Sequence, residues 1–176
     1  MAYNDYVDTN LLAGKLGNAA VVGGVQKITA IQSFTVGASD YATSAPVYRV
    51  FKAIPSDAII ISIKILNEAV AAVTAGTIGL CNVLDFDGIG AVVSAACLSA
   101  GFNFSSANTI ASAPAEALTA VTIANREKQL WELAAQTQAP GAAGPKASAY
   151  DICFFMTSMT TNTAAICAIL EYVRGV

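Results

Sequence analysis

A chain of 176 residues is long enough for one packed domain and too short for two ordinary ones with a linker between them. Charged residues make up 12% of it, against about 25% in typical soluble domains, and 9 Lys and Arg against 12 Asp and Glu leave a net charge of −3. With its few cations scattered, the chain offers no basic footprint for nucleic acid, and its charge-poor exterior of Ala, Ser, Thr, Gly and Val suits burial against neighbouring subunits.

Residues 1 to 25 read as an extended arm. Tyr3, Tyr6, Leu11 and Leu12 stand among Asn4, Asp5, Asp8 and Asn10, followed by Gly14, Gly17, Gly23 and Gly24. Too little apolar surface is available there to offset the entropy of ordering the segment alone, so a partner would have to order it. Tyr3 and Tyr6, with Leu11 and Leu12, are the candidate anchors for that partner. Gly23 and Gly24 lack the lysine and hydroxyl residue of a phosphate loop and read as linker glycines. The start of the chain shows no basic segment followed by an apolar one, which predicts folding in the cytoplasm where the protein is made.

From Ile28 to Val36 apolar and polar residues alternate, the mark of a half-buried strand. Val47 to Ile54 and Ile59 to Leu66 give two more strands, and Gly76 to Leu84 a fourth, closed by the turn chemistry of Asp85-Phe86-Asp87-Gly88. Val92 to Gly101 is ambiguous between strand and short helix, and Leu118 to Ile123 reads as a short strand, with the abundant alanine keeping a helix open over 114 to 124. A helix is predicted over about 125–135, capped by Asn125, burying Leu130, Leu133 and Ala134 on one face and carrying the single tryptophan, Trp131. Tyr150 to Met159 and Ala164 to Val173 read as a closing hairpin through Thr160 to Thr163. The sum is an all-β protein, a jelly-roll-like β-sandwich over 26–176 with one short helix and an extended N-terminal arm.

The uncharged stretch from Gly88 to Pro114 is long enough to cross a bilayer, but Ser, Asn and Gly recur through it, so no membrane span is predicted. Histidine is absent, which removes the commonest general base and metal ligand. Asp85 with Asp87, or Glu116, would be the acids of any carboxylate chemistry, yet an Asp-x-Asp-Gly sequence between strands is ordinarily a turn. No catalytic residue, cofactor or metal is therefore expected. Asn103-Phe104-Ser105 matches a glycosylation acceptor without a secretion signal to give it consequence. Cys81, Cys97, Cys153 and Cys167 form no Cys-x-x-Cys pair and read as reduced core residues; if any pair were bridged it would be Cys153 with Cys167, on strands expected to be adjacent.

In order, the strand ending IPSDAIIISIKI, the GTIGLCNV strand, the DFDG loop, the helix NREKQLWEL, and the closing YDICFFMTS and AICAILEYV together resemble the head cement, or decoration, proteins of tailed bacteriophages. The resemblance covers roughly Ile28 to Val173. It implies a jelly-roll-like sandwich that sits as homodimer or homotrimer on the outside of an icosahedral head and clamps major capsid subunits, with no catalytic residue to carry over. A tail, neck or fibre-base component of the same particle is the nearest alternative. A carbohydrate-binding sandwich, using Trp131 and the DFDG loop, is a further one.

Overall fold

A computed structural model describes residues 26–37, 46–71, 73, 75–84, 89–108, 114–135, 147–156 and 163–174. Among these residues eight strands form two four-stranded antiparallel sheets. They are β1 (Gln26–Val36), β2 (Val47–Pro55), β3 (Ile59–Asn67), β4 (Gly76–Asn82), β5 (Val92–Phe102), β6 (Ala115–Glu116), β7 (Ala149–Phe155) and β8 (Ala164–Arg174). Sheet A runs β1-β8-β3-β6 and sheet B runs β2-β7-β4-β5. Successive strands change sheet at every connection except β4 to β5, which is the jelly-roll order expected from the sequence.

Alternation explains most of these strands. On β8, Ala164, Ile166, Ala168, Leu170 and Tyr172 point inward and are buried, while Ala165, Cys167, Ile169, Glu171 and Val173 face out. Between the sheets, Phe34 packs on Tyr48 and Phe154, and Phe104 on Phe102 and Phe154, with ring centroids 4.7 to 6.1 Å apart. Ile63, Ile65, Ile78, Leu80, Leu98 and Ile152 complete this core with no exposed surface. The outward positions of β7 break the pattern: Asp151 and Cys153 are as buried as the inward Tyr150, Ile152 and Phe154.

The predicted closing hairpin is not formed. β7 lies between β2 and β4 in sheet B, and β8 lies between β1 and β3 in sheet A, so the two segments face each other across the core. A short polar connection serves a crossing between stacked sheets as well as it serves a hairpin, and both strands, apolar enough for central positions, find two partners each. The structure also puts no strand at Leu118 to Ile123. Only Ala115 and Glu116 pair with β3, after which Glu116 Oε1 accepts hydrogen bonds from the Ile63 and Leu118 N–H groups (3.1 and 3.0 Å) and turns the chain off the sheet edge.

The helix is shorter than the sequence predicts. Ile123–Asn125 is a 3-10 turn, and α1 spans Leu130–Leu133 with Gln129, not Asn125, at its N-cap. Three bonds fix this start: Glu132 Oε2 accepts from the Gln129 N–H (2.8 Å), while the Leu130 and Trp131 N–H groups donate to the Ala58 and Ser56 carbonyls of the β2–β3 turn. Ala135, at φ 53°, ends the helix in the left-handed region.

Candidate interaction surfaces and a buried polar cluster

Sheet A presents an outer face on which charged residues are few. Its rows across β1, β8 and β3 are Thr29–Glu171–Ser62, Ile31–Ile169–Lys64 and Ser33–Cys167–Leu66. Glu171 is held at one end of the face, accepting from Lys27 Nζ (2.8 Å) and Ser62 Oγ (2.9 Å). Those contacts, the Lys27 bond first, keep its carboxyl below the usual carboxylate range. Toward the other end Ile31 is 53% exposed, with Ile169, Cys167 and Leu66 half-buried beside it, Lys64 in its row, and Glu68 accepting the Ala165 N–H (2.8 Å). A shallow, mostly apolar groove follows between Ser33, Leu66, Asn108 and Cys167. Asn67 forms its floor, spending its side-chain N–H groups on the Glu68, Phe104 and Ser106 carbonyls (2.8 to 3.1 Å) and accepting from Asn108 Nδ2. That asparagine anchors the loop after β5 rather than presenting itself to a ligand.

Other exposed apolar side chains stand apart from this face. Ile123, at the 3-10 turn, is 92% exposed, and Leu84, Ile89 and Val92 lie between the paired parts of β4 and β5 or at the start of β5.

The outer face of sheet B carries an unexpected polar cluster. Arg49 on β2 pairs with β7, and its guanidinium lies 3.7 Å from Asp151 Oδ2, with both side chains almost wholly removed from solvent. Asp151 Oδ1 accepts the Ala53 N–H (2.8 Å), which fixes Ala53 at φ 53° in the second register shift of β2. Burial raises the Asp151 carboxyl above its ordinary range, outweighing the Ala53 N–H and the Arg49 charge that pull the other way. Next to it, across β4 and β7, Cys81 and Cys153 share a hydrogen bond that, with burial, pushes the Cys153 thiol up. Burial raises the Cys97 thiol to about 11.

Beside this cluster, β5 folds onto the outer side of β4 at Gly79. Its pairing with β4 slips so that Ile78 faces Ser99 while Leu80 faces Ser94, and the surplus residues lie across Gly79. Alternation hides this cluster, because Asp151 and Cys153 occupy positions that it assigns to solvent.

Tyr3, Tyr6, Leu11 and Leu12 lie outside the described residues, as do Asp85 to Gly88. Glu116 is occupied by the backbone bonds of β3 and its own turn. Trp131 packs against the core, its indole N–H donating to Gln129 Oε1 (2.5 Å). Asn103 closes its own turn, its Oδ1 accepting from the Ser105 N–H and hydroxyl. All four cysteines are free, and Cys153 and Cys167 point out of opposite sheets, so the pairing considered from the sequence does not occur. Among the described residues no group of three or more acidic or thiol side chains is placed to hold a metal ion, and no helix is long and apolar enough to cross a membrane.

No family model matches the chain, and no curated protein matches it in sequence. Among solved structures it is similar to one described as "Cyanophage Pam1 capsid asymmetric unit", at 14% identity and a TM-score of 0.46, over 90% of this chain and 92% of that one. At that distance the likeness assigns neither a family nor a function.

Proposed function

We propose that the protein is a non-enzymatic structural subunit of a phage particle, a cement protein that binds the exterior of the head and stabilises contacts between major capsid subunits. The observation that carries this reading is the outer face of sheet A. Lys27 and Glu171 pair at one end, Lys64 stands in the Ile31 row and Glu68 beside the groove, and the other residues of these rows are Ile, Leu, Cys, Ala, Ser and Thr. Such a surface costs little to desolvate and leaves few charges unpaired when a flat partner covers it. Many copies on one shell then gain from avidity what each contact lacks alone. The composition of the whole chain and the sequence resemblance point the same way.

The test is uptake by purified coat shells. Shells saturated with the protein are expected to withstand higher temperature and lower ionic strength than bare shells. Saturation without any gain in shell stability would remove the cement role, and labelled protein found at the tail vertex of intact particles would replace it with a neck or tail role. The arm supplies a second expectation. A variant lacking residues 1 to 25 should lose shell binding at least tenfold if Tyr3, Tyr6, Leu11 and Leu12 are coat anchors, as measured by co-sedimentation with shells.

A further inference from the structure

Two of the four cysteines stand together on the outer side of sheet B. Cys81 on β4 is paired with Asp151 on β7, and Cys153, two residues further along β7, is paired with Gly79. The two cysteines are therefore diagonal neighbours on one face of two hydrogen-bonded strands, close enough for side chains to meet. Gly79 puts no side chain beside Cys153, and the Ser94–Ala95 backbone of β5 lies 2.0 to 2.5 Å from where a Cβ would stand. Cys153 has Cys81 within reach instead, and the two sulfurs share a hydrogen bond. Both side chains are fully buried, yet neither belongs to the hydrophobic core between the sheets.

We infer that Cys81 and Cys153 form a modification site: hydrogen peroxide joins them in a disulfide that ties β4 to β7, the two inner strands of sheet B.

The shared hydrogen bond divides the roles. It holds Cys81, the acceptor, below the usual thiol range and, with burial, holds Cys153, the donor, above it. The Cys81 sulfur attacks one peroxide oxygen; an S–O bond forms, the O–O bond breaks, and the departing hydroxide takes up the Cys81 proton and leaves as water. The Cys153 sulfur then attacks the sulfenic sulfur of Cys81, and its own proton departs with the second oxygen as another water. The two thiols lose two electrons, the peroxide gains them, and one disulfide and two waters result. Peroxide, little larger than water, is the class of oxidant that a closed site admits.

Among the described residues neither remaining thiol stands beside a sulfur in this way. Cys97 hydrogen-bonds to Ser94, and Cys167 lies on the outer face of sheet A between Ser33 and Leu66. A Cys81–Cys153 bond would close β5, β6 and α1 into one long loop, which restricts the unfolded chain far more than the folded one. None of this depends on the cement role.

Peptide mapping by mass spectrometry on the full chain, reduced and then treated with hydrogen peroxide, tests it. The map should show Cys81 joined to Cys153, the thiols titrated in guanidinium should fall from four to two per chain, and dithiothreitol should restore all four. The oxidised protein should unfold in urea at least tenfold more slowly than the reduced one. Cys97→Ser and Cys167→Ser should each still lose two thiols, whereas Cys81→Ser should keep its three. The wild-type map reads the bond with no substitution, so the result does not hang on the folding of a variant. Four thiols surviving the treatment, a bond mapped to any other pair, or Cys81 carried to sulfinic acid without bridging overturns the proposal. So does an oxidised protein that unfolds as fast as the reduced one.

Discussion

Asp151→Ala is expected to lower unfolding free energy by about 3–5 kcal/mol, the cost of leaving a buried charge without its partner. The charge left behind belongs to Arg49, whose guanidinium cannot shed its proton and whose side chain is only 5% exposed. The same substitution deprives the Ala53 N–H of its acceptor, and with it the support for the left-handed turn in β2. The double substitution Arg49→Met with Asp151→Asn removes both charges and keeps an oxygen for Ala53, so it should recover more than half of that loss. Urea denaturation of the three proteins decides the matter. A loss under about 1 kcal/mol for Asp151→Ala would show that the pair holds nothing together.

The pH dependence carries a definite sign. Because burial raises the Asp151 carboxyl, the folded state holds that proton more tightly than the unfolded chain does. Its contribution to stability is therefore fully present below the usual carboxylate range, falls as pH rises through the raised folded value, and is flat above. Glu171 behaves oppositely: its contribution is present above the usual range and is lost as pH falls through its lowered folded value. Asp151→Asn should abolish the first trend and leave the second.

The other large effect is expected at Gly79. A Cβ there would lie 2.0 Å from the Ser94 carbonyl oxygen and 2.5 Å from the Ala95 carbonyl carbon, so backbone meets backbone and no side chain can swing away. Gly79→Ala must push the Ser94–Ala95 backbone of β5 away from β4. The expected cost is about 3 kcal/mol, which for a domain of this size lowers Tm by roughly 6–12 °C. Gly101, on the same strand β5, has nothing within 4 Å of its Cβ position. Gly101→Ala should be neutral or gain up to about 1 kcal/mol from a stiffer unfolded chain. Equal melting temperatures for the two variants would refute the packing of β5 over Gly79.

Much of the fold was legible because a half-buried strand writes its two faces into alternate residues. β1 and β3 are read directly from Ile28 to Val36 and from Ile59 to Leu66, and inward Ile166, Ala168, Leu170 and Tyr172 mark β8. Partnership is another matter. Nothing in Thr160 to Thr163 distinguishes a hairpin from a passage between layers, so the sequence pattern predicts β7 and β8 side by side while they lie in opposite sheets. Asn125 has the right chemistry for a cap, yet the helix starts at Leu130 because the decisive acceptors are carbonyls of Ser56 and Ala58, remote in sequence. The polar cluster was hidden for a related reason. Arg49, Ala53, Cys81 and Asp151 come from three strands, and alternation along β7 assigns Asp151 to solvent although it is fully buried. The low charge of sheet A's outer face, by contrast, was visible in composition before any strand was placed.

The placement of β7 and β8 also sets an order of events during synthesis. β1 and β3 wait for β8 to lie between them, and β2 and β4 wait for β7. Of the sheet pairings, the β4–β5 hairpin is the one between consecutive strands, so a ribosome-bound chain ending before Ala149 has almost nothing to close around. Such a chain leaves its apolar strands open to chaperones and to other nascent copies until the final segment emerges. Assembly is thereby restricted to completed molecules, since an interrupted chain has neither sheet to offer a neighbour.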